Sequence, residues 1–166
     1  MKRVLLDTNI YGEMVIDPEL DIVKVSIANK RAVIIYGNNL IRKELRDTPR
    51  NTIISDGNLR IYLLNLYNDV VKQEYDITDE MRSIAESYYK AYKEFGGSKP
   101  RIQIIDDFVI VACATIHGLD IVVSEDEKTM LTENAVRAYR LINNVLKKRT
   151  PKFLGYREFK NILRGG

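Results

Sequence analysis

The chain has one cysteine, one histidine and no tryptophan among its 166 residues. A single cysteine excludes an intrachain disulfide. With one imidazole beside it, there is little scope for a zinc centre built from nitrogen and sulfur ligands. Cys113 lies inside the apolar run Phe108 to Ile116 and reads as a small core residue rather than a nucleophile. That run is the longest largely apolar stretch, contains Thr115, and falls short of the roughly 18 residues of a membrane span, so no membrane segment is expected. Lys2 and Arg3 imitate the start of a secretion signal, but Asp7 stops the apolar stretch after three residues, against the ~7 to 15 a signal requires. The expected location is the cytoplasm. A phosphate loop is also missing: Gly96-Gly97-Ser98-Lys99-Pro100 has neither the glycine-to-lysine spacing nor a preceding strand.

What is present is ordinary for a globular protein: 45% hydrophobic and 30% charged residues, at a length that suits one domain over residues 1–166. The net charge of +3 is unevenly spread. From Thr129 onward nine Lys or Arg face only Glu133 and Glu158, a balance of +7 that leaves −4 for the first 128 residues. An acidic body with a basic end suits a polyanionic partner, and a solvated basic helix face is the plainer reading of the same pattern.

Along the chain, Val4 to Leu6 reads as a strand buried on both faces, ended by Asp7. Helical patterns follow through Val15 and from Glu19 to Asn29, and Ala32 to Tyr36 is a second strand. Gly37-Asn38-Asn39 supplies a turn and an N-cap for a helix carrying Glu44. Ser55 to Val70 and Thr78 to Phe95 read as two helices forming a hairpin, and Gly96 to Pro100 as a mobile break. Asp106-Asp107 introduces an apolar helix that stops at Gly118; Ile121 to Val123 is a strand; Glu133 to Lys148 is a basic helix; a short strand lies near Phe153-Leu154 and a last helix near Arg157 to Leu163. Alternating strands and helices predict an α/β fold, a three-layer α/β/α sandwich around a central parallel sheet.

In such sheets ligands bind outside the carboxyl ends of the strands. Asp7 and Asp126 each follow an apolar strand run and so share that edge. Asp106 and Asp107 open a helix, where free backbone amides favour a carboxylate, and Glu44 sits on a helix able to point back over the same edge. Acids gathered there repel one another and raise each other's pKa unless a cation neutralises them. Carboxylate oxygens suit a hard divalent ion, Mg²⁺ or Mn²⁺. For each acid alone a structural role is the plainer reading: a helix cap for Asp7 or Asp107, a turn for Asp126, a surface charge for Glu44.

Four stretches, in order, carry a resemblance. They are Leu5-Leu6-Asp7-Thr8-Asn9, Asn39-Leu40-Ile41-Arg42-Lys43-Glu44-Leu45, Asp107-Phe108-Val109-Ile110-Val111-Ala112-Cys113-Ala114-Thr115-Ile116-His117-Gly118, and Ile121-Val122-Val123-Ser124-Glu125-Asp126. Together they resemble the PIN-domain ribonucleases, the family that includes the toxins of many prokaryotic toxin and antitoxin pairs. The resemblance covers nearly the whole chain. It implies Asp7, Glu44, Asp107 and Asp126 as catalytic and metal-holding acids. Counting forward to Ala114 and Gly118 favours Asp107 over Asp106, which is left as a capping or supporting acid. Thr8, Asn9 and Ser124 are expected to hold the acids and a metal water by hydrogen bonds. The segment from Asn51 to Pro100 is longer than compact toxins need and predicts an inserted helical hairpin.

The implied reaction is metal-dependent hydrolysis of an RNA phosphodiester, with Arg137, Arg140, Lys147, Lys148, Arg149 and Lys152 gripping flanking phosphates. Single-stranded RNA is the expected substrate, an antitoxin protein a possible partner, and a homodimer the assembly the resemblance implies. The alternative is a catalytically inactive PIN-like module that binds nucleic acid or protein. A phosphatase with a nucleophilic aspartate ranks lower, because such enzymes place a second acid where this chain has Asn9. His117 is expected to serve helix-end carbonyls, and Tyr88, Tyr89 and Tyr92, at helical spacing, to pack rather than stack bases.

Overall fold

Leu5 and Leu6 have no solvent exposure, each adding about 1.5–3 kcal/mol by burial, and they make β1 (Lys2–Leu6) the centre of the sheet. The computed structural model describes all residues except Lys30, Asp56 and Gly166. Asp7 closes β1 and caps α1 (Thr8–Val15). After Asp17-Pro18 come α2 (Leu20–Ala28) and β2 (Val33–Asn38). The Asn38 side chain accepts the Ile41 N–H at 2.8 Å and so starts α3 (Asn39–Arg46), as a short polar side chain does at an N-cap. A small antiparallel pair, β3 (Ile53–Ile54) and β4 (Gly57–Asn58), leads into α4 (Leu59–Val70) and β5 (Val71–Tyr75). Two 16-residue helices follow, α5 (Asp79–Glu94) and α6 (Arg101–Ile116), then β6 (Ile121–Val123), α7 (Glu133–Val145), β7 (Lys152–Leu154) and α8 (Tyr156–Leu163).

The strands β1, β2, β5, β6 and β7 form one parallel sheet in the order β5-β2-β1-β6-β7. Helices α1, α2 and α4 pack together with α8 against α2, while α5 packs on α6 and α7. The result is the expected three-layer α/β/α sandwich. The chain builds outward from β1 through β2 to β5, then crosses to the other side for β6 and β7. The order therefore reverses between β1 and β6, which opens a crevice at their carboxyl ends.

Three expectations need correction. The segment read as a helical hairpin does contain both helices, but β5 lies between them and joins the sheet edge beside β2, so α4 packs on α1 and α3 while α5 packs on α6 and α7. Its sequence, Val-Lys-Gln-Glu-Tyr, has an outer edge facing solvent and lacks the apolar run of a central strand. The helix carrying Asp106 and Asp107 starts at Arg101 behind Pro100, so those acids sit in its second turn and neither caps it. Proline sets the start, because it suits the position before a helix that its ring cannot extend backward. Finally, the Gly96–Pro100 break is tied down: the Gly97 N–H donates to the Tyr92 carbonyl at 2.8 Å and the Lys99 N–H to the Tyr92 hydroxyl at 3.0 Å.

Candidate active site

Asp7 is fixed at the end of the central strand: its N–H donates to the Val123 carbonyl of β6 at 2.9 Å. Its side chain is 4% exposed and accepts the Thr8 N–H at 2.8 Å and the Ser124 hydroxyl at 2.7 Å. Burial pushes the carboxyl up to about 6; the two hydrogen bonds oppose that rise and the charge of Asp126 adds to it. Ser124 is fully buried, and its oxygen also accepts the Asp126 N–H at 3.0 Å, so one hydroxyl joins Asp7 to the loop after β6. The Asp126 carboxylate accepts the N–H groups of Lys128 and Thr129 at 3.1 and 3.0 Å, which folds that loop into a tight turn.

Glu44 reaches the same crevice from α3. Burial raises it to about 7, reinforced by the charges of Asp7 and Asp106. Its Oε1 is buried without a hydrogen-bond partner, as is Thr8 Oγ1; the Thr8 hydroxyl eases the Glu44 charge but does not meet hydrogen-bond geometry. Asp107, from α6, is raised furthest, to about 8: burial dominates, a bond from Thr129 opposes it, and the charges of Asp7, Asp126 and Glu44 add to it. Four acids from two strand ends and two helices thus act on one another across the crevice between β1 and β6.

Two solved structures share this arrangement of elements. A chain of VapBC2 from Rickettsia felis, in a crystal structure with a DNA fragment from its promoter, aligns with a TM-score of 0.55 at 9% identity, over 93% of this chain and 98% of that one. A chain of FitAB bound to the IR36 DNA fragment aligns with a TM-score of 0.55 at 13% identity, over 92% of this chain and 94% of that one. The fold is PIN-like. No protein-family model matches the sequence, and a comparison with curated proteins found no match. The PIN-like assignment therefore stands on architecture.

Within this PIN-like crevice the donor set is carboxylates and hydroxyls, the oxygen chemistry that suits Mg²⁺ or Mn²⁺. Glu44 Oε1 and Thr8 Oγ1, buried and unpartnered, are the groups that bound cation chemistry would satisfy. Among the described residues no three His, Cys, Asp or Glu side chains already stand in an arrangement that surrounds an ion.

The remaining sequence-predicted residues fall into two groups. Asp106 is exposed and acts on Glu44 through its charge. Asn9 is exposed too, and its Oδ1 accepts the Glu125 N–H at 3.4 Å; it braces the Asp126 loop rather than an acid. The basic residues are not gathered at the crevice. Arg149 pairs with Asp120 at 2.8 Å, just before β6, and Lys152 begins β7, so both lie at the starting ends of the parallel strands, opposite the edge where Asp7 and Asp126 follow β1 and β6. Lys147 and Lys148 follow α7 on that same side, while Arg137 lies over the Phe95 ring at 4.2 Å and Arg140 is exposed on α7. The cations whose charges reach the acids come from elsewhere: Lys43 acts on Glu44 and Asp106, and Arg101 on Asp106.

Thr129 went unnoticed in the sequence. Its hydroxyl touches Asp107 Oδ2 and Asp126 Oδ2 together. The one hydroxyl thus lies between a carboxylate of α6 and a carboxylate of the loop after β6. The sequence signal was an Asp followed three residues later by Thr, a turn pattern. His117 does not serve helix-end carbonyls with its ring; that ring stacks on Tyr75 at 3.5 Å between centroids, and burial lowers its pKa. Tyr88 and Tyr92 are buried packing residues, and burial raises the Cys113 thiol to about 11.

Proposed function

We propose that the chain is a metal-dependent endoribonuclease acting at Asp7, Glu44, Asp107 and Asp126. The observation that carries this reading is the convergence of these four acids on the β1/β6 crevice, three of them raised well above the usual carboxylate range although the Lys43 charge opposes the rise of Glu44. They would hold one or two Mg²⁺ or Mn²⁺ ions. When bound, such an ion supplies Lewis acidity toward a phosphate oxygen and acidifies a water. The chain's own part is to fix the acids: Ser124 locks Asp7 against the Asp126 loop, and the buried floor formed by β1 and β6 keeps them from drifting apart. Lys43, paired with Asp47 at 2.9 Å, acts on Glu44, and Arg101, paired with Glu86, acts on Asp106; these two cations would supply phosphate contacts, with Arg137 and Arg140 further along α7.

Single-stranded RNA is the proposed substrate, because its backbone can lie along an open edge. The sheet edge, and the DNA present with both structural neighbours, are also compatible with a module that binds without cutting. An antitoxin partner and a homodimer belong to the toxin form of this reading. Among the described residues no helix is long and apolar enough to cross a membrane. A cytoplasmic location belongs to the toxin form of the proposal, where the RNA would be met.

The deciding experiment is cleavage of a single-stranded RNA with and without Mg²⁺ or Mn²⁺, comparing wild type with Asp7→Asn. Metal-dependent cleavage abolished by the substitution is the expected result. RNA binding with no cleavage at any metal concentration would establish the binding module instead. Sedimentation over a range of protein concentrations tests the dimer, which a monomer at every concentration refutes.

A further inference from the structure

Asp107 and Asp126 are nineteen residues apart, one on α6 and one in the turn after β6. Two carboxylates facing across such a gap repel, and side-chain rotation alone would let them swing apart. One hydroxyl prevents this, because Thr129 Oγ1 touches an oxygen of each. The threonine is itself held. Its N–H donates to Asp126 Oδ1 at 3.0 Å, its carbonyl accepts the Thr132 hydroxyl at 3.3 Å, and its neighbour Met130 is fully buried, with its carbonyl bonded by the Tyr139 hydroxyl at 2.8 Å. A β-branched side chain has few rotamers, so an anchored backbone fixes the position of its oxygen.

We propose that Thr129 is a positioning residue, whose hydroxyl sets the spacing between the Asp107 and Asp126 carboxylates so that one divalent cation is shared by both. This rests on the metal-dependent reading above. Ser124 performs the matching task on the other side, joining Asp7 to the Asp126 backbone. The two hydroxyls turn acids from three separate elements into a connected row, Asp7, Ser124, Asp126, Thr129, Asp107. A residue that orients ligands without touching the ion changes affinity by about 10- to 100-fold when removed.

The test is Mn²⁺ titration by calorimetry of the full-length wild type, Thr129→Val and Thr129→Ser, with circular dichroism to verify folding. Thr129→Val keeps the shape and removes the hydroxyl; it is expected to bind Mn²⁺ at least about tenfold more weakly, while Thr129→Ser restores affinity close to wild type. In RNA cleavage the same loss should fall on kcat, with KM for RNA unchanged. If Thr129→Val does not fold, Thr129→Ala is read in its place. A folded hydroxyl-free variant with wild-type Mn²⁺ affinity, or a serine variant as weak as valine, overturns the inference and leaves the four-acid site standing. A wild-type chain that binds no Mn²⁺ overturns both.

Discussion

Asp17 and Glu19, in the corner between α1 and α2, are treated in the opposite way from the crevice acids. Lys160 of α8 reaches within 2.8 Å of Asp17 and 2.9 Å of Glu19, and Arg164 within 2.7 Å of Glu19. Burial works against the Asp17 charge, but bonds from Lys160, the Tyr156 hydroxyl and the Glu19 N–H outweigh it and hold the carboxyl down at about 2. Glu19 is lowered by the same two cations. At the crevice, Asp7, Glu44 and Asp107 receive hydroxyls, amides and one another's charge, and all three rise. Where acids hold the fold together, this chain supplies its own cations. At the crevice Lys43 eases Glu44, but burial and repulsion outweigh it and all three carboxyls stay raised.

The largest effect that would break this contrast is on activity. On the proposed function, Asp107→Asn is expected to reduce metal-dependent RNA cleavage by about 100-fold or more, since it would remove a ligand of an ion that would contribute several kcal/mol to the transition state; unchanged turnover would show that the crevice does no metal chemistry. The same substitution should stabilise the metal-free protein at pH 8, by about 1–3 kcal/mol for relief of a buried, unmatched charge, measured by urea unfolding.

The pH dependence of stability sharpens the contrast next. A carboxyl raised by folding holds its proton more tightly in the native state, so the stability from that proton is complete below the unfolded value near 4 and is lost as pH rises through the folded value. For Asp7, Glu44 and Asp107 the loss runs from about 4 to about 8. The melting temperature of the metal-free protein should therefore fall over that range, and millimolar Mn²⁺ should reverse the fall. Asp17 has the opposite sign: its contribution is present above about 4 and disappears as pH drops toward 2. Asp17→Asn should lower the melting temperature at pH 7 by about 2–4 °C, and Asp107→Asn without metal should raise it. The smallest effect is that of salt: at 1 M, where the screening length is about 3 Å, the partly exposed Arg164 contact to Glu19 should weaken, removing a degree or less of thermal stability, while the buried Asp7 bonds to Ser124 persist.

Much of this was legible in the chain. Asp7, Asp126 and the strands before them were visible because a parallel strand buried on both faces leaves an uninterrupted apolar run, and its end is marked by the first polar residue. Glu44 was legible through the capped helix that follows β2. What escaped depended on tertiary neighbours. Val71 to Tyr75 is a strand because β2 offers it an edge, and nothing in its own alternation announces that. Thr129 matters because α6 brings Asp107 beside it. The basic residues after Thr129 form a run in sequence, yet α7 carries them from the acid-bearing loop to the far end of the strands, so a charge balance counted along the chain did not map onto one face.

The way the acids are mounted gives the crevice a mechanical character. Asp7 and Asp126 are bolted to neighbouring strands of the sheet, through the Asp7 N–H on Val123 and the Ser124 N–H on Leu154, both at 2.9 Å. Glu44 and Asp107 ride on helices that meet each other above that floor. The crevice thus rests on two supports, a β-ladder that holds Asp7 and the Asp126 loop and a helix pair that carries Glu44 and Asp107, and the Thr129 hydroxyl ties one support to the other.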